Sequence, residues 1–338
     1  NKESEEIMKL SILDQVHITA GGNAEQSLQN TKELARLGDS LGYERIWFAE
    51  HHGSNLMASA APEIIAAFIA AATDRIRVGT GGVMMMHYSP LKIAEVFKTL
   101  SGFAPGRIDL GVGRAPGGDR QSMYALAQGN PPQLENHYEK LRTILDLLED
   151  RKPQDPLYRD TPAAPVDVTV PQTWLLGSSG NSAVQAGRMG VGYSFAQFFT
   201  GTLDKSIFDL YKKNFAPSAA MPEKQISVAF HAIVADTREE ALYEELPYAI
   251  FKMQLFRGMM RNHLMTPEQA AAYPLTEIEK QLINDIRKTH IIGTAKEAGE
   301  TLLNLQEQYG FDEAMIISMP HSQKARLKTY SLLAQELL

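Results

Sequence analysis

Eight short apolar runs, each followed by a helix-type pattern, constrain the fold of this chain more than any other feature. They fall at residues 8–13, 44–49, 76–80, 108–112, 173–176, 191–195, 226–234 and 314–318. Runs of this length, rich in Ile, Val and Leu and bounded by turn residues, read as strands buried on both faces. Helical stretches come between them. Asn23 caps the first, with Gln26 three residues on as its capping-box partner. Leu28, Leu34, Leu37 and Leu41 give that helix an apolar face. The next two helices begin at Pro62 and Pro90, a residue suited to a first turn. Further helices are expected over 134–149, 180–189, 203–214, 294–309 and 322–337. Eight alternating β/α units predict an α/β chain folded as a right-handed parallel (β/α)8 barrel, one domain over residues 1–338. An open, doubly wound sheet satisfies the same alternation and stays as the rival.

Two segments exceed ordinary loop length. Residues 150–171 carry five prolines and read as an extended surface excursion. Residues 235–292 follow strand seven and hold Phe251, Met253, Phe256 and Met259. Such an insertion lies at the barrel mouth, either as a lid or as a packed accessory helix pair. Residues 1–7 are polar and acidic, unlike a signal peptide, and read as an extension or tag remnant.

Composition removes several classes of function. With no cysteine, neither a disulfide framework nor a thiolate metal site is available. A net charge of −7 with no long Lys/Arg block argues against nucleic acid or an anionic membrane as partner. No apolar run reaches the roughly 20 residues of a membrane helix. A cytoplasmic location is the expectation.

The polar residues collect after the strands. Strand one leads to Asp14, Gln15 and His17, and strand two to Glu50, His51 and His52. Burying such groups unpaired costs several kcal/mol, so a cavity at the strands' carboxyl ends is their natural place. A loop histidine pair without a task is the bland alternative. Strand three leads to Gly79-Thr-Gly-Gly82, where Gly81 and Gly82 permit either a plain turn or close approach to a flat ligand. Arg114 follows strand four and suits a phosphate, or a surface salt bridge. Gly111-x-Gly113 is not a dinucleotide fingerprint, because the third glycine comes one place late at Gly117. Strand five runs into Gly177-Ser-Ser-Gly-Asn-Ser182, the start of a helix. Its N–H groups with Ser178, Ser179, Asn181 and Ser182 suit a phosphate, although Ser and Asn are also ordinary caps. His231 and His321 complete the mouth. No metal site is expected: adjacent histidines point apart on a strand, and neither His-x-His in strand one nor a helical His-x-x-x-His is present.

These motifs, in this order, resemble the bacterial-luciferase-like flavin-dependent monooxygenases. The strongest parts are Trp47-Phe-Ala-Glu-His-His52, Ile76-Arg-Val-Gly-Thr-Gly-Gly-Val83, Pro105-Gly-Arg-Ile-Asp-Leu-Gly-Val-Gly-Arg114 and Leu176-Gly-Ser-Ser179, with Ile292-Gly-Thr-Ala-Lys-Glu-Ala298 near the end. The resemblance runs from Met8 to the C-terminus. It implies a (β/α)8 barrel that takes reduced FMN from a separate flavin reductase. It implies that the flavin reacts with O2 to give a C4a-peroxide, which oxidises a small organic substrate. By motif position His51 resembles the catalytic histidine, with Glu50 ordering the mouth and His52 in a structural role. Gly81 and Gly82 match a non-prolyl cis peptide beneath the isoalloxazine, and Arg114 and Ser178 match phosphate ligands. Gly177 and Gly113 stand where luciferase has a glutamate and a reactive cysteine, so its light emission and aldehyde substrate do not transfer. The relatives include F420-dependent dehydrogenases and reductases, which leaves F420 as the alternative cofactor. A flavin-binding protein without catalysis is the third reading. The resemblance also implies a homodimer through helices two and three.

Overall fold

The computed structural model describes residues 8–338 apart from Ala115, Met260 and Arg261; the expected N-terminal extension, 1–7, lies outside the described residues. Strands and helices alternate. The first half holds β1 (Lys9–Asp14), α1 (Ala24–Leu41), β2 (Arg45–Phe48), α2 (Pro62–Ala72), β3 (Arg77–Thr80), β4 (Val83–Met84), a 3-10 turn (Met85–His87), α3 (Pro90–Phe103), β5 (Ile108–Gly113), α4 (Arg120–Leu126) and α5 (His137–Leu148). The second half holds β6 (Gln172–Leu176), α6 (Gly180–Met189), β7 (Gly192–Ala196), α7 (Gln197–Thr200), α8 (Lys205–Asn214), β8 (Ile226–Val234), α9 (Arg238–Phe256), α10 (Pro267–Ala271), α11 (Glu277–Arg287), β9 (Ile291–Gly293), α12 (Ala295–Tyr309), β10 (Glu313–Ile317) and α13 (Gln323–Leu337).

Eight of the strands close a barrel in the order β1-β2-β3-β5-β6-β7-β8-β10, every neighbour parallel. Closure comes from β10, which pairs with β8 on one side (Glu313 opposite Ser227) and β1 on the other (Lys9 opposite Glu313). The open sheet is thereby excluded. Each expected strand is present to within about a residue at either end. The remaining two strands are short additions: β4 extends the edge of β5, and β9 pairs with Ala232–Val234 at the far end of β8.

The caps explain where the helices begin. Asn23 accepts the Gln26 amide at 2.9 Å, and Gly42 in the left-handed region ends α1. Thr294 and Glu297 form a reciprocal capping box at α12. Helix α5 starts at His137, three residues later than the pattern suggests.

Low in the barrel, Arg45 is fully buried and bonds Asp109 and Glu313, while Trp47 stacks edge-on to Trp174 with centroids 5.3 Å apart. The layer outside the strands is apolar, from Leu10, Ile12, Ile46 and Phe48 round to Val228, Phe230 and Ile316. The 235–292 region forms three helices, not a pair, around a small core of Ile250, Met253, Ile283 and Ile286. It also touches the loops after β1 and β2: the Ala20 amide donates to Leu264 O at 2.8 Å, and the His263 ring bonds Asn55 O at 3.1 Å. No helix among the described residues is long and apolar enough to cross a membrane.

Candidate functional site

The carboxylate of Glu50 lies just past the carboxyl end of β2. The apolar run of β2 carries it there, two residues past Phe48, and leaves it 1% exposed. Three donors meet it. The Met84 amide reaches Oε2 at 2.7 Å, His52 Nε2 lies 2.6 Å from Oε1, and the Tyr88 hydroxyl donates to the same Oε1. Burial, and then the hydrogen bond and charge of Glu50, push the Tyr88 phenol far above its usual range, so it remains a donor. The two histidines face different partners. The His52 amide donates to Gly117 O at 2.9 Å, and the His51 amide to Ser59 O at 2.8 Å. His87 stands edge-on to His52, 6.1 Å between centroids, and its Nε2 bonds Pro116 O at 2.7 Å.

Beside this cluster lies a flat shelf. The Gly81–Gly82 peptide is cis. A Cβ on Gly81 would fall 3.0 Å from Leu13 and Trp47, and one on Gly82 would fall 2.8 Å from Gly111 O. Only glycine lets the backbone lie this close to the barrel floor. Gly117, at φ +61°, closes over the next turn; a Cβ there would meet Met84 at 2.7 Å.

A second polar group gathers where β5 and β6 end. Arg114 leaves the end of β5 exposed. Ser178, Ser179 and Asn181 are exposed at the start of α6. Asn181 Nδ2 donates to the Tyr138 hydroxyl at 3.4 Å. Burial raises the Tyr138 phenol, while the nearby Arg114 charge and Asn181 pull it back; burial and then Arg114 lower His137. Arg114, the first turn of α5 and the first turn of α6 therefore converge. Ser182 is different: it is buried, and its hydroxyl bonds Ser179 O at 2.8 Å and the Tyr193 hydroxyl at 2.9 Å, closing a capping box with Ser179. It shapes the turn from inside.

The other mouth imidazoles are held neutral or used as bracing. His17 Nε2 bonds Pro320 O at 3.2 Å; burial, then the Arg326 charge, push it down to about 4. His231 Nε2 accepts the Met319 amide at 3.3 Å, and its ring lies flat on Tyr248 at 3.7 Å; burial, then His290 and Lys252, hold it well below the usual histidine range. His321 Nε2 bonds Ala20 O at 2.9 Å. No cluster of three or more potential metal ligands occurs among the described residues.

The structure thus gathers Glu50, His51 and His52 beside Gly81 and Gly82, and brings Arg114 near the start of α6 with Ser178, Ser179 and Asn181. Sequence reasoning missed Tyr88, His87, His137, Tyr138 and Tyr248. A signal existed for the first two: the polar pair His87-Tyr88 interrupts an apolar stretch just past the double glycine.

Residues 8–316 match the sequence model of the luciferase-like monooxygenase family. An N-acetyl-S-alkylcysteine monooxygenase of Bacillus subtilis (strain 168) is 35% identical over 98% of this chain and 99% of its own. The crystal structure of apo-MsnO8 superposes with a TM-score of 0.86 at 33% identity, covering 98% of both chains. The FMN complex of the oxygenating constituent of 3,6-diketocamphane monooxygenase, from Pseudomonas putida, shares the fold with a TM-score of 0.71 at 18% identity, over 98% of this chain and 97% of that one.

Proposed function

The chain belongs to the luciferase-like monooxygenase family, and we propose that it is an FMN-dependent monooxygenase acting on a small organic substrate with O2. One observation carries a ring-and-phosphate cofactor: a glycine shelf at Gly81–Gly82 together with a group of Arg114 and the start of α6, both beyond the strands' carboxyl ends; FMN over F420 follows the monooxygenase relatives. That pairing suits a planar ring with a phosphate at its far end.

Reduced FMN, supplied by a separate reductase, would provide the oxygen-activating chemistry when bound. The residues of this chain do the rest. Arg114, Ser178, Ser179 and Asn181 would hold the phosphate, with the first-turn amides of α6 adding N–H donors. Ser182 keeps that turn in shape through its capping box. Gly81 and Gly82, with no side chain, would give the ring a surface to pack against. His51 gives and takes the proton at the mouth, a task for which imidazole is suited near neutral pH. Glu50 orders the surrounding loops through Met84 and His52. Ile64 and Phe68, exposed on α2, fit a homodimer through that helix.

Titration of the protein with FMN, reduced FMN and F420, followed by oxygen uptake, tests the reading. Tight binding of reduced FMN with oxygen consumption is the expected result. Preference for F420 without oxygen uptake would replace the monooxygenase by a dehydrogenase, and binding without turnover on any substrate would leave a flavin carrier.

A further inference from the structure

His52 has more than the structural role its sequence context suggests. Its Nε2 lies 2.6 Å from a carboxylate that is 1% exposed, while the ring itself keeps 14% of its surface open. Glu50 has little freedom to turn away. The Met84 amide fixes one of its oxygens at 2.7 Å, and Tyr88 fixes the other. Tyr88 Oη also lies 3.4 Å from His52 Nε2, so phenol, carboxylate and imidazole form one compact group. The phenol donates, so its oxygen partner must accept, and the carboxylate is acceptor-only when ionised. The remaining donor to that oxygen is the imidazole Nε2–H. The proton of neutral His52 is therefore on Nε2, and Nδ1 carries the lone pair. Among the described residues Nδ1 makes no hydrogen bond.

We propose that Tyr88 is a positioning residue: with the Met84 amide it locks the Glu50 carboxylate, which in turn locks His52 with Nε2 protonated and Nδ1 as the atom that exchanges a proton at the mouth. This rests on the monooxygenase reading only for the reaction it serves. In that reaction Nδ1 takes one proton and later returns it, and Nε2 keeps its own throughout. The positive charge on the ring between the two events faces the Glu50 carboxylate, the arrangement in which a buried acid steadies an imidazolium without accepting its proton. His52 then works beside His51. The lock also joins the glycine shelf to the Arg114 loop, because Met84 follows Gly82 by two residues and the His52 amide holds Gly117 O.

The first test needs no flavin. The full chain, labelled with 15N-histidine and assigned with His52→Gln, is studied by proton and nitrogen NMR. A far-downfield, slowly exchanging Nε2–H of His52 is expected, with Nδ1 unprotonated. Glu50→Gln should abolish that protection. Tyr88→Phe, which removes one oxygen, should keep the fold and speed the exchange about tenfold, the effect of losing a hydrogen bond to a charged group. The second readout is the pH profile for oxidation of bound reduced FMN by O2, which Tyr88→Phe should displace. A His52 proton on Nδ1, an unprotected Nε2–H in the native protein, or a Tyr88→Phe profile that superimposes on the native one overturns the proposal. If the native chain does not bind FMN, the monooxygenase reading fails, and the NMR result alone decides the inference.

Discussion

Arg45 Nη1 lies 2.6 Å from Asp109 Oδ2, and neither side chain has any exposed surface. The same guanidinium donates through Nε to Glu313 at 2.9 Å, and Arg77 covers the second Asp109 oxygen at 2.7 Å. Strands β2, β3, β5 and β10 are thus tied at one level of the barrel. Burial by itself would raise the Asp109 carboxyl; Arg45 and Arg77 outweigh it and hold it below the usual carboxylate range. Arg45→Ala takes the guanidinium from Glu313 and leaves Asp109 only Arg77 and Trp47, and should cost about 3–5 kcal/mol, the usual effect of breaking a buried pair. Urea unfolding measures it. A loss under about 1 kcal/mol would mean the network is replaceable by water.

Arg114→Ala should weaken FMN binding by roughly 1.5–3 kcal/mol, the range for hydrogen bonds to charged groups. Arg114 is exposed, so the fold should be untouched. A flavin-fluorescence titration gives the dissociation constant; an unchanged value would move the phosphate elsewhere.

His51→Ala should keep the fold and most flavin affinity while slowing product formation by roughly 10²–10⁴-fold, the usual contribution of general acid–base catalysis. Steady-state turnover on a substrate found by screening checks this. Normal turnover in the variant would remove His51 from the chemistry.

His17 makes stability depend on pH. Folded, it is held down to about 4, whereas its ordinary value is 6.5. Between those values the unfolded chain binds more protons, so stability falls as pH drops from about 6.5 to about 4. Melting temperatures across that window should decline, and less steeply in His17→Gln, whose amide can still donate to Pro320 O. Parallel curves for the two proteins would assign the acid sensitivity to other groups.

Gly82→Ala would bring a methyl group to 2.8 Å from Gly111 O. The opposing atom is backbone and cannot swing aside. Overpacking of this kind costs about 1–3 kcal/mol. Thermal unfolding should show the loss, and the displaced shelf should weaken flavin binding in the same variant.

The barrel was legible because each wall strand is a run of four to nine mostly buried residues, as at Arg45–Phe48 and Ile226–Val234. Local pattern is enough there. β4 and β9 escaped because strands of two and three residues carry no periodicity. Helix α5 begins late because Asn136 adopts a left-handed backbone at φ 60°, a conformation open to asparagine that helix periodicity does not mark. At the site, Glu50, His51 and His52 stood out as polar residues ending an apolar run. Tyr88 did not, since its partner Glu50 is 38 residues away and the contact exists only once β2 has paired with β3 and the chain beyond β3 folds back over the end of β2. Tyr138 was hidden for the same reason, reaching Asn181 across 43 residues.

Strand β8 finishes its pairing with β10 at His231 before the long insertion starts, and its last three residues then pair with β9, where the insertion ends. The Ala235 amide donates to Gly293 O at 3.1 Å, stitching departure to return. Helices α9 to α11 therefore behave as a cassette plugged into a socket that the wall has already completed. The wall's registers are set without them, yet their inner face is bound to it, as where Tyr248 lies on His231 and Leu264 O receives the Ala20 amide, so only the residues turned away from the barrel are free to vary.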